Sequence, residues 1–244
     1  MFVSPLKPYF WKPENDNQNW MSGYTRKLGF WQDVIRDRKL KKVEKIKESE
    51  YEGLNYSFDL SIGAELSLKY LFKGDNEISV SMDYIPLCDT IPNIPKFGMN
   101  VRLPKDFQSI DYYGRGPLEN YPDRKYNQRI GLYSTDVANY QTEYVKPQDN
   151  GNRTDIRWFE ISSPEINIFI KGEEPLNIRA WEYGEEDLNV RHPHEIKTGD
   201  FVNLNIDGEI HGVGGINSFG GWTLDKYCID GNKPHSYSFS IKVE

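Results

Sequence analysis

The sequence has little of what membrane proteins and nucleic-acid-binding proteins depend on. Its 244 residues contain no apolar run near the roughly 18 residues that a transmembrane helix needs. Lys and Arg number 30 against 37 Asp and Glu, and the net charge of −7 argues against a basic face for nucleic acid. The first residues lack a basic segment followed by an apolar one, which predicts no secretory signal. We therefore expect neither nucleic acid nor a membrane as a partner.

Cysteine is also scarce. Cys88 and Cys228 stand alone in the sequence, without the spacing of a metal or redox motif. We interpret both as buried small residues, and a disulfide between them is left open.

Aromatic residues, in contrast, are abundant. They make up 14% of the chain, with 16 Tyr, 12 Phe and 6 Trp. Such residues favour strands, because they fit a pleated surface. They also suit carbohydrate, whose C–H faces stack on rings, although core packing is the simpler interpretation of any single one.

Hydrophobic periodicity predicts one helix followed by many short strands. Apolar residues at helical spacing over 23–40 (Leu28, Trp31, Val34 and Ile35) predict the helix. Alternation of period two, with turn residues such as those at 74–76 between the segments, indicates an all-β antiparallel sandwich formed by one domain over 1–244. Strands are predicted at 56–62, 66–72, 77–84, 97–103, 109–113, 155–162, 166–171, 177–183, 202–208 and 236–243.

A loop at 114–124 carries the densest set of polar side chains. Glycosidic hydrolysis needs two carboxyl groups, and Glu119 and Asp123 are four residues apart. Pro117 and Pro122 make a regular helix there improbable on steric grounds. The favoured interpretation is that both carboxylates accept hydrogen bonds from nearby backbone or from arginines, among them Arg124 and Arg153.

Two further polar segments have simple interpretations. His192 and His194 sit two residues apart and could share a metal or a proton, but Pro193 separates them and no third ligand is near in sequence. Loop packing is the favoured interpretation. The acidic run 185–187 is interpreted as a solvated turn.

A glycine-rich loop at 212–222 contains Asn217, Phe219 and Trp222. Glycines allow backbone to approach another surface closely, and an aromatic side chain in such a loop can stack on a sugar. No helix-forming sequence follows 212–215, so the loop is not predicted to hold phosphate.

At these loops the sequence resembles one known family. Residues 116–124 resemble the GPxENYPDR motif of the C-terminal "small chain" domain of family 2 β-galactosidases. Residues 10–17 are similar to its FWRxPxDN segment, 144–153 to YxxPQExGxR, 192–194 to the HxHxL region, and 204–219 to LNIDG…GxGGDDSW. The order and spacing agree over nearly the whole chain.

The resemblance implies a fold and a division of labour. The implied fold is an antiparallel β-supersandwich of the galactose mutarotase-like type. The domain is expected to be non-catalytic within a retaining enzyme that hydrolyses terminal β-D-galactosides, with the catalytic glutamates on a barrel that this chain lacks. No cofactor is expected on this chain, whereas Mg²⁺ and Na⁺ are implied for the barrel.

The resemblance also implies site residues. Phe219 stands where the family has a substrate-platform Trp, so it keeps the ring but loses the indole N–H. With it we expect Asn217, Trp222, Asp16 and Asn17 to line the substrate pocket. The polar residues expected to fix loop conformation are Glu119, Asn120, Asp123, Arg124 and Arg153.

The implied partners are the catalytic barrel, on the same polypeptide or on a large subunit, and a galactoside; the complete protein is expected to be an oligomer. Because the family's FWR segment usually follows a few strands, we expect the chain to lack its first strands. The cytoplasm is favoured over the periplasm. The alternatives are a purely structural domain, or an independent carbohydrate-binding or aldose-epimerase-like module using His192, His194 and Glu119.

Overall fold

The computed structural model describes residues 2–19, 22–74, 76–215, 217 and 220–244. Within this part of the chain, twelve strands form one antiparallel sheet, which confirms the predicted all-β architecture. The strands are β1 (Lys7–Pro8), β2 (Lys39–Glu48), β3 (Tyr51–Leu60), β4 (Ala64–Phe72), β5 (Glu77–Pro86), β6 (Lys96–Pro104), β7 (Ser109–Gly116), β8 (Arg129–Asp136), β9 (Arg153–Ser162), β10 (Asn167–Trp181), β11 (Phe201–Ile210) and β12 (His235–Val243).

The order of the strands places β10 at the centre. The main path runs β1-β6-β11-β10-β12-β5-β4-β3-β2, and β9, β7 and β8 continue from the other edge of β10. The first half of β10 pairs with β12 and its second half with β11, while β9 pairs with both halves. Two strands were predicted here, over 166–171 and 177–183; that division is wrong, because β9 supports one strand across a register shift between Lys171 and Leu176.

The single helix predicted over 23–40 is also wrong in its extent. The chain instead forms α2 (Tyr24–Leu28) and α3 (Trp31–Arg36), after α1 (Asp16–Asn19), and β2 begins at Lys39; α4 (Val137–Tyr140) lies later. Gly29 caps α2, and from Lys39 onward pairing with β3 replaces helical hydrogen bonds. The apolar residues that predicted the helix are nevertheless buried. No helix in the described ranges is long and apolar enough to cross a membrane.

The core consists of the aromatic and aliphatic side chains on the inner face of the sheet together with those of α2 and α3. Phe10 contacts Trp31, Tyr84 and Phe97 at ring-centroid distances of 5.7, 6.3 and 5.2 Å. These contacts attach the N-terminal segment to the sheet. The two cysteines are free, and Cys88 is exposed rather than buried as expected.

His235 on β12 has an acceptor at each ring nitrogen. Nδ1 lies 2.7 Å from a Glu209 carboxylate oxygen, and Nε2 lies 2.8 Å from the Asp230 carbonyl oxygen. Burial lowers the pKa of His235, but these two acceptors outweigh burial, so the pKa is raised above its ordinary value. The protonated ring, which donates from both nitrogens, fits this setting.

We expect His235 to make stability depend on pH. A pKa raised in the folded state contributes stability that is fully present below the unfolded-state value of about 6.5 and is lost as pH rises through the folded-state value. In urea titrations, the difference in unfolding free energy between the parent chain and His235→Gln should therefore shrink as pH rises above about 6.5. The exposed His194, replaced by Gln, is the matched control. A His235→Gln difference that stays constant as pH rises would contradict this assignment.

Candidate functional site

The polar loops singled out in the sequence come together in space. We call the set of segments 12–19, 114–124, 147–153 and 211–223 the loop cluster. Asn120 and Asn152 exchange hydrogen bonds between the second and third segments, and Asp123 joins the second segment to the fourth. The first segment contacts the third through Gln148 and the fourth through Asn15. Four stretches far apart in the chain thus form one surface.

Asp123 holds the glycine loop by its backbone. Its carboxylate accepts hydrogen bonds from the Val213 N–H at 3.1 Å, the Gly214 N–H at 2.5 Å and the Thr223 hydroxyl at 3.3 Å. A Cβ added at Gly212 or Gly214 would lie 2.8 Å from an Asp123 side-chain atom. The glycines are therefore required by the close approach of this carboxylate.

The short helix α1 holds the same loop from the other side. The Asn15 amide donates to the Val213 carbonyl at 2.6 Å, and the Gln18 amide donates to the Gly212 carbonyl at 3.1 Å. Asn17 is exposed and its amide lies 3.5 Å from the Val213 carbonyl. The N–H groups of Val213 and Gly214 and the carbonyls of Gly212 and Val213 are thus engaged by neighbouring side chains.

Glu119 is a second acceptor, but for a different loop. One carboxylate oxygen accepts from the Gly151 N–H at 2.7 Å; the other accepts from Arg124 at 2.5 Å and from the Tyr144 hydroxyl. Only 7% of the Glu119 side chain is exposed. Glu119 and Asp123 are therefore fixed by separate partners, as the hydrogen-bonding interpretation of the sequence expected.

Asn120 and Arg153 complete the contacts between these loops. The Asn120 carbonyl oxygen of the side chain accepts from the Thr154 N–H and hydroxyl at 3.0 and 2.6 Å. Arg153 donates to the carbonyls of Pro117 and Gly151, each at 2.9 Å, and its guanidinium lies 4.3 Å from the centre of the Tyr140 ring. Every one of the five polar residues predicted to fix loop conformation makes such contacts.

A chain of buried charges lies beneath the loop cluster, and the sequence analysis missed it. The Arg179 guanidinium contacts Asp149 and, at 2.7 Å, Glu185; Lys12 lies 3.6 Å from the other Asp149 oxygen. Lys96 pairs with Asp207 at 3.4 Å a short distance along the sheet. Glu185 was expected in a solvated turn, and this is wrong: its side chain is 7% exposed because Arg179, Asn203 and Asn205 bind it.

The pKa values of these groups follow from burial and pairing. Burial lowers the pKa of Lys12, and Asp149 only partly counteracts this. Burial also opposes the charges of Arg179 and Glu185. Attraction to Asp149 and then to Glu185 outweighs burial and raises the pKa of Arg179, while attraction to Arg179 and then to Lys96 lowers the pKa of Glu185. Burial raises the pKa of Asp207 to about 6. The Arg179–Glu185 pair is thus held in its charged form.

Trp222 packs back onto α2. Its indole N–H donates to the Ser22 carbonyl at 3.3 Å, its ring lies 5.6 Å from that of Tyr24, and the Lys27 ammonium lies 4.8 Å from its centroid. Its ring also meets His211, whose pKa burial lowers to about 4. Trp222 therefore attaches the end of the glycine loop to the helices.

The other residues predicted to meet substrate have varied positions. Asn217 is exposed and its side-chain oxygen accepts from the Gly221 N–H at 3.2 Å. Asp16 is exposed, and its carboxylate accepts from Gln148 at 3.0 Å. Phe219 lies outside the described residues. The ring centroids of His192 and His194 are 5.5 Å apart in an exposed turn. Across the described ranges, no group of three or more His, Cys, Asp and Glu side chains could hold a metal ion.

Comparison with known sequences identifies relatives of the whole chain. A sequence model of the family described as "Beta galactosidase small chain" matches residues 1–241. A β-galactosidase of Priestia megaterium is 28% identical over 247 residues, which cover 99% of this chain and 24% of the relative. A β-galactosidase of Pseudoalteromonas haloplanktis is 31% identical over 189 residues, 77% of this chain and 17% of the relative. The chain thus spans about a quarter of the length of the Priestia megaterium relative.

Similar solved structures include a galactose 1-epimerase from Lactobacillus acidophilus, with a TM-score of 0.45 at 10% identity, covering 83% of this chain and 66% of that one. A galactose mutarotase-like protein from Lactobacillus casei has a TM-score of 0.41 at 11% identity, covering 83% of this chain and 73% of that one.

The buried charges lead to a prediction about stability. Asp149→Asn keeps the size of the side chain but leaves the Arg179 guanidinium without one of its two carboxylates. We expect it to lower the unfolding free energy by about 3–5 kcal/mol, because an uncompensated buried charge is costly. Chemical denaturation measures the loss. Asp16→Asn, which alters an exposed ion pair with Lys146, is the matched control and should cost at most about 1 kcal/mol. Equal losses in the two variants would refute the prediction.

Proposed function

Because the chain belongs to the β-galactosidase small-chain family, we propose that it is the C-terminal domain of a β-galactosidase. In this proposal the complete enzyme hydrolyses terminal β-D-galactosides with retention. The domain completes the substrate pocket and stabilises the assembly, whereas another part of the enzyme carries out the chemistry. The observation that carries the proposal is the loop cluster: side chains from two other segments, 12–19 and 114–124, hold the backbone of residues 212–214 in one arrangement.

The hydrogen bonding of the carboxylates supports a positioning role for this domain. A retaining glycosidase needs a nucleophile and an acid/base whose carboxyl groups lie about 5–5.5 Å apart across the sugar. Glu119 and Asp123 instead accept hydrogen bonds from separate loops, with Gly151 and Arg124 at one and Val213 and Gly214 at the other. We propose that the catalytic pair lies on a barrel supplied by the same polypeptide or by a large subunit.

The metal ions implied by the family resemblance are also assigned to the barrel. The described residues include no group of three or more His, Cys, Asp and Glu side chains that could hold a metal ion. We propose that both ions are bound by the barrel, and no step on this chain depends on them.

The glycine loop is proposed to close one side of the galactoside pocket. Asn217 and Phe219 are the side chains assigned to substrate contact, and Asp16, Asn17 and Trp222 are assigned to the same pocket. A Cβ on Gly215 would lie 3.7 Å from the Asn17 Cβ, so α1 and the loop are neighbours here. No feature of the described residues favours an epimerase centre: Glu119 is occupied by three donors, and His192 and His194 are exposed.

A domain exchange tests the proposed function. The C-terminal quarter of the Priestia megaterium β-galactosidase would be replaced by this chain, and hydrolysis of a chromogenic galactoside measured. We expect the chimera to be active and this chain alone to be inactive. Hydrolysis by the chain alone would refute the proposal, and so would a folded chimera that hydrolyses no galactoside.

Within the active chimera, Asp123→Ala should raise KM for the galactoside by about ten-fold or more, because a loop displaced by 1 Å can cost that much. The variant removes the acceptor that fixes the Val213 and Gly214 N–H groups. Steady-state kinetics measure the change. Phe219→Ala should also raise KM.

Asp33→Ala is the matched control, since Asp33 lies on α3 with its side chain 64% exposed. An Asp123→Ala enzyme with the kinetics of the control would show that the loop does not position substrate.

A further inference from the structure

A cleft lies beside the end of α1, where Asn19 forms part of its lining. It encloses about 460 Å³, a volume within the range of roughly 300–1,000 Å³ that is common for small-molecule sites. Gln148 forms part of its wall and also binds both the backbone N–H and the carboxylate of Asp16 on α1. Other segments complete the lining, with residues that include Tyr9, Trp11, Asn19, Gln32, Glu186 and Asn189. We call this the Trp11 cleft.

The aromatic residues of the Trp11 cleft have unused donors. The hydroxyl of Tyr9 and the indole N–H of Trp11 have no hydrogen-bond partner among the described residues, and neither atom is sealed from solvent. Burial, followed by the charge of Glu185, raises the pKa of Tyr9 well above its ordinary value, so its hydroxyl stays protonated. Aromatic residues with a polar group at one end suit ligands that are apolar on one face and polar at the edge.

The rim of the Trp11 cleft carries three carboxamides. Asn19, Gln32 and Asn189 are exposed, and within the described ranges their side chains have no partner. A carboxamide both donates and accepts, as a sugar hydroxyl does. Three such groups around an aromatic lining can satisfy several hydroxyls at once.

The charge of the lining favours an uncharged ligand. Glu14, Glu185 and Glu186 line the cleft against one lysine, Lys146. Arg179 compensates Glu185 and Arg102 compensates Glu186. Among the described residues, the Glu14 carboxylate accepts hydrogen bonds only from the hydroxyl and N–H of Thr25. An anionic sugar would meet carboxylates, but a neutral sugar can donate its hydroxyls to them.

From this geometry we infer that the Trp11 cleft is a second saccharide site, which takes one neutral pyranose unit apart from the substrate pocket. The apolar face of the sugar lies against Trp11 and Leu188, and its hydroxyls bond to Tyr9, Glu186 and Asn189. The choice of galactose as the probe rests on the proposed function; the cleft and its chemistry do not.

Titration of the 244-residue chain with galactose tests the inference. Binding is monitored by the NMR signals of the tryptophan indole N–H groups. The Trp11 signal, identified by its loss in Trp11→Phe, should shift saturably with a Kd in the millimolar range. Tyr9→Phe keeps the ring that lies under Lys96 and removes one hydrogen bond, so Kd should rise about five-fold. Tyr126→Phe is the matched control, because Tyr126 is 80% exposed and outside the cleft, and it should leave Kd unchanged.

Three results would overturn the inference. The first is the absence of a saturable shift at ~100 mM galactose, far above a millimolar Kd. The second is loss of binding in Asn217→Ala but not in Tyr9→Phe, which would place the sugar at the glycine loop. The third is equal affinity for galactose and galacturonate. These readouts need no hydrolysis. If the chimera is inactive but the chain still binds galactose at the Trp11 cleft, the proposed function is refuted and the second saccharide site is not.

Discussion

The Arg179 guanidinium lies between the carboxylates of Asp149 and Glu185, and the buried side chains around it leave little freedom to the segments that carry them. A buried charge without a partner is far more costly than a broken surface pair. The central strand β10, the loop 147–153 and the turn at Glu185 must therefore keep their relative positions. Lys12 joins the N-terminal segment to the same arrangement through Asp149.

The loop cluster is built outward from this fixed base. Next to Asp149, Gln148 holds Asp16. Asn15, which precedes α1, and Gln18 within α1 in turn hold the glycine loop. Asp123 reaches the same loop from the opposite side. The glycine loop itself contributes only backbone groups to these bonds, so its conformation is determined by side chains that belong to other segments. This arrangement suits a surface that shapes a pocket without reacting in it.

The sequence predicted the strands and the polar loops more successfully than their partners. Alternation of apolar and polar residues identified most strands, because each strand buries one face. The continuity of β10 depends on its pairing with β9, and the end of the helical region depends on the pairing of β2 with β3. Asp123 stood out from composition, but its bond to Gly214 spans 91 positions and no local pattern reveals it. Arg179 had one local signal: it is a charged residue within an apolar strand, where a buried partner is required. The roles predicted for the loops came from the family resemblance and not from hydrophobic periodicity.

The helix α1 has only four residues, yet it faces two different surfaces. Asn15 and Gln18, at its start and within it, bind the glycine loop, while Asp16 is bound by the wall of the Trp11 cleft. A ligand of the cleft that prefers one position of α1 would change the free energy of the glycine loop. A ligand of the proposed substrate pocket would then change the affinity of the cleft by the same factor. The two proposed sites would thus be thermodynamically linked through α1, and the sign of the linkage would be set by the position of α1 that each ligand favours.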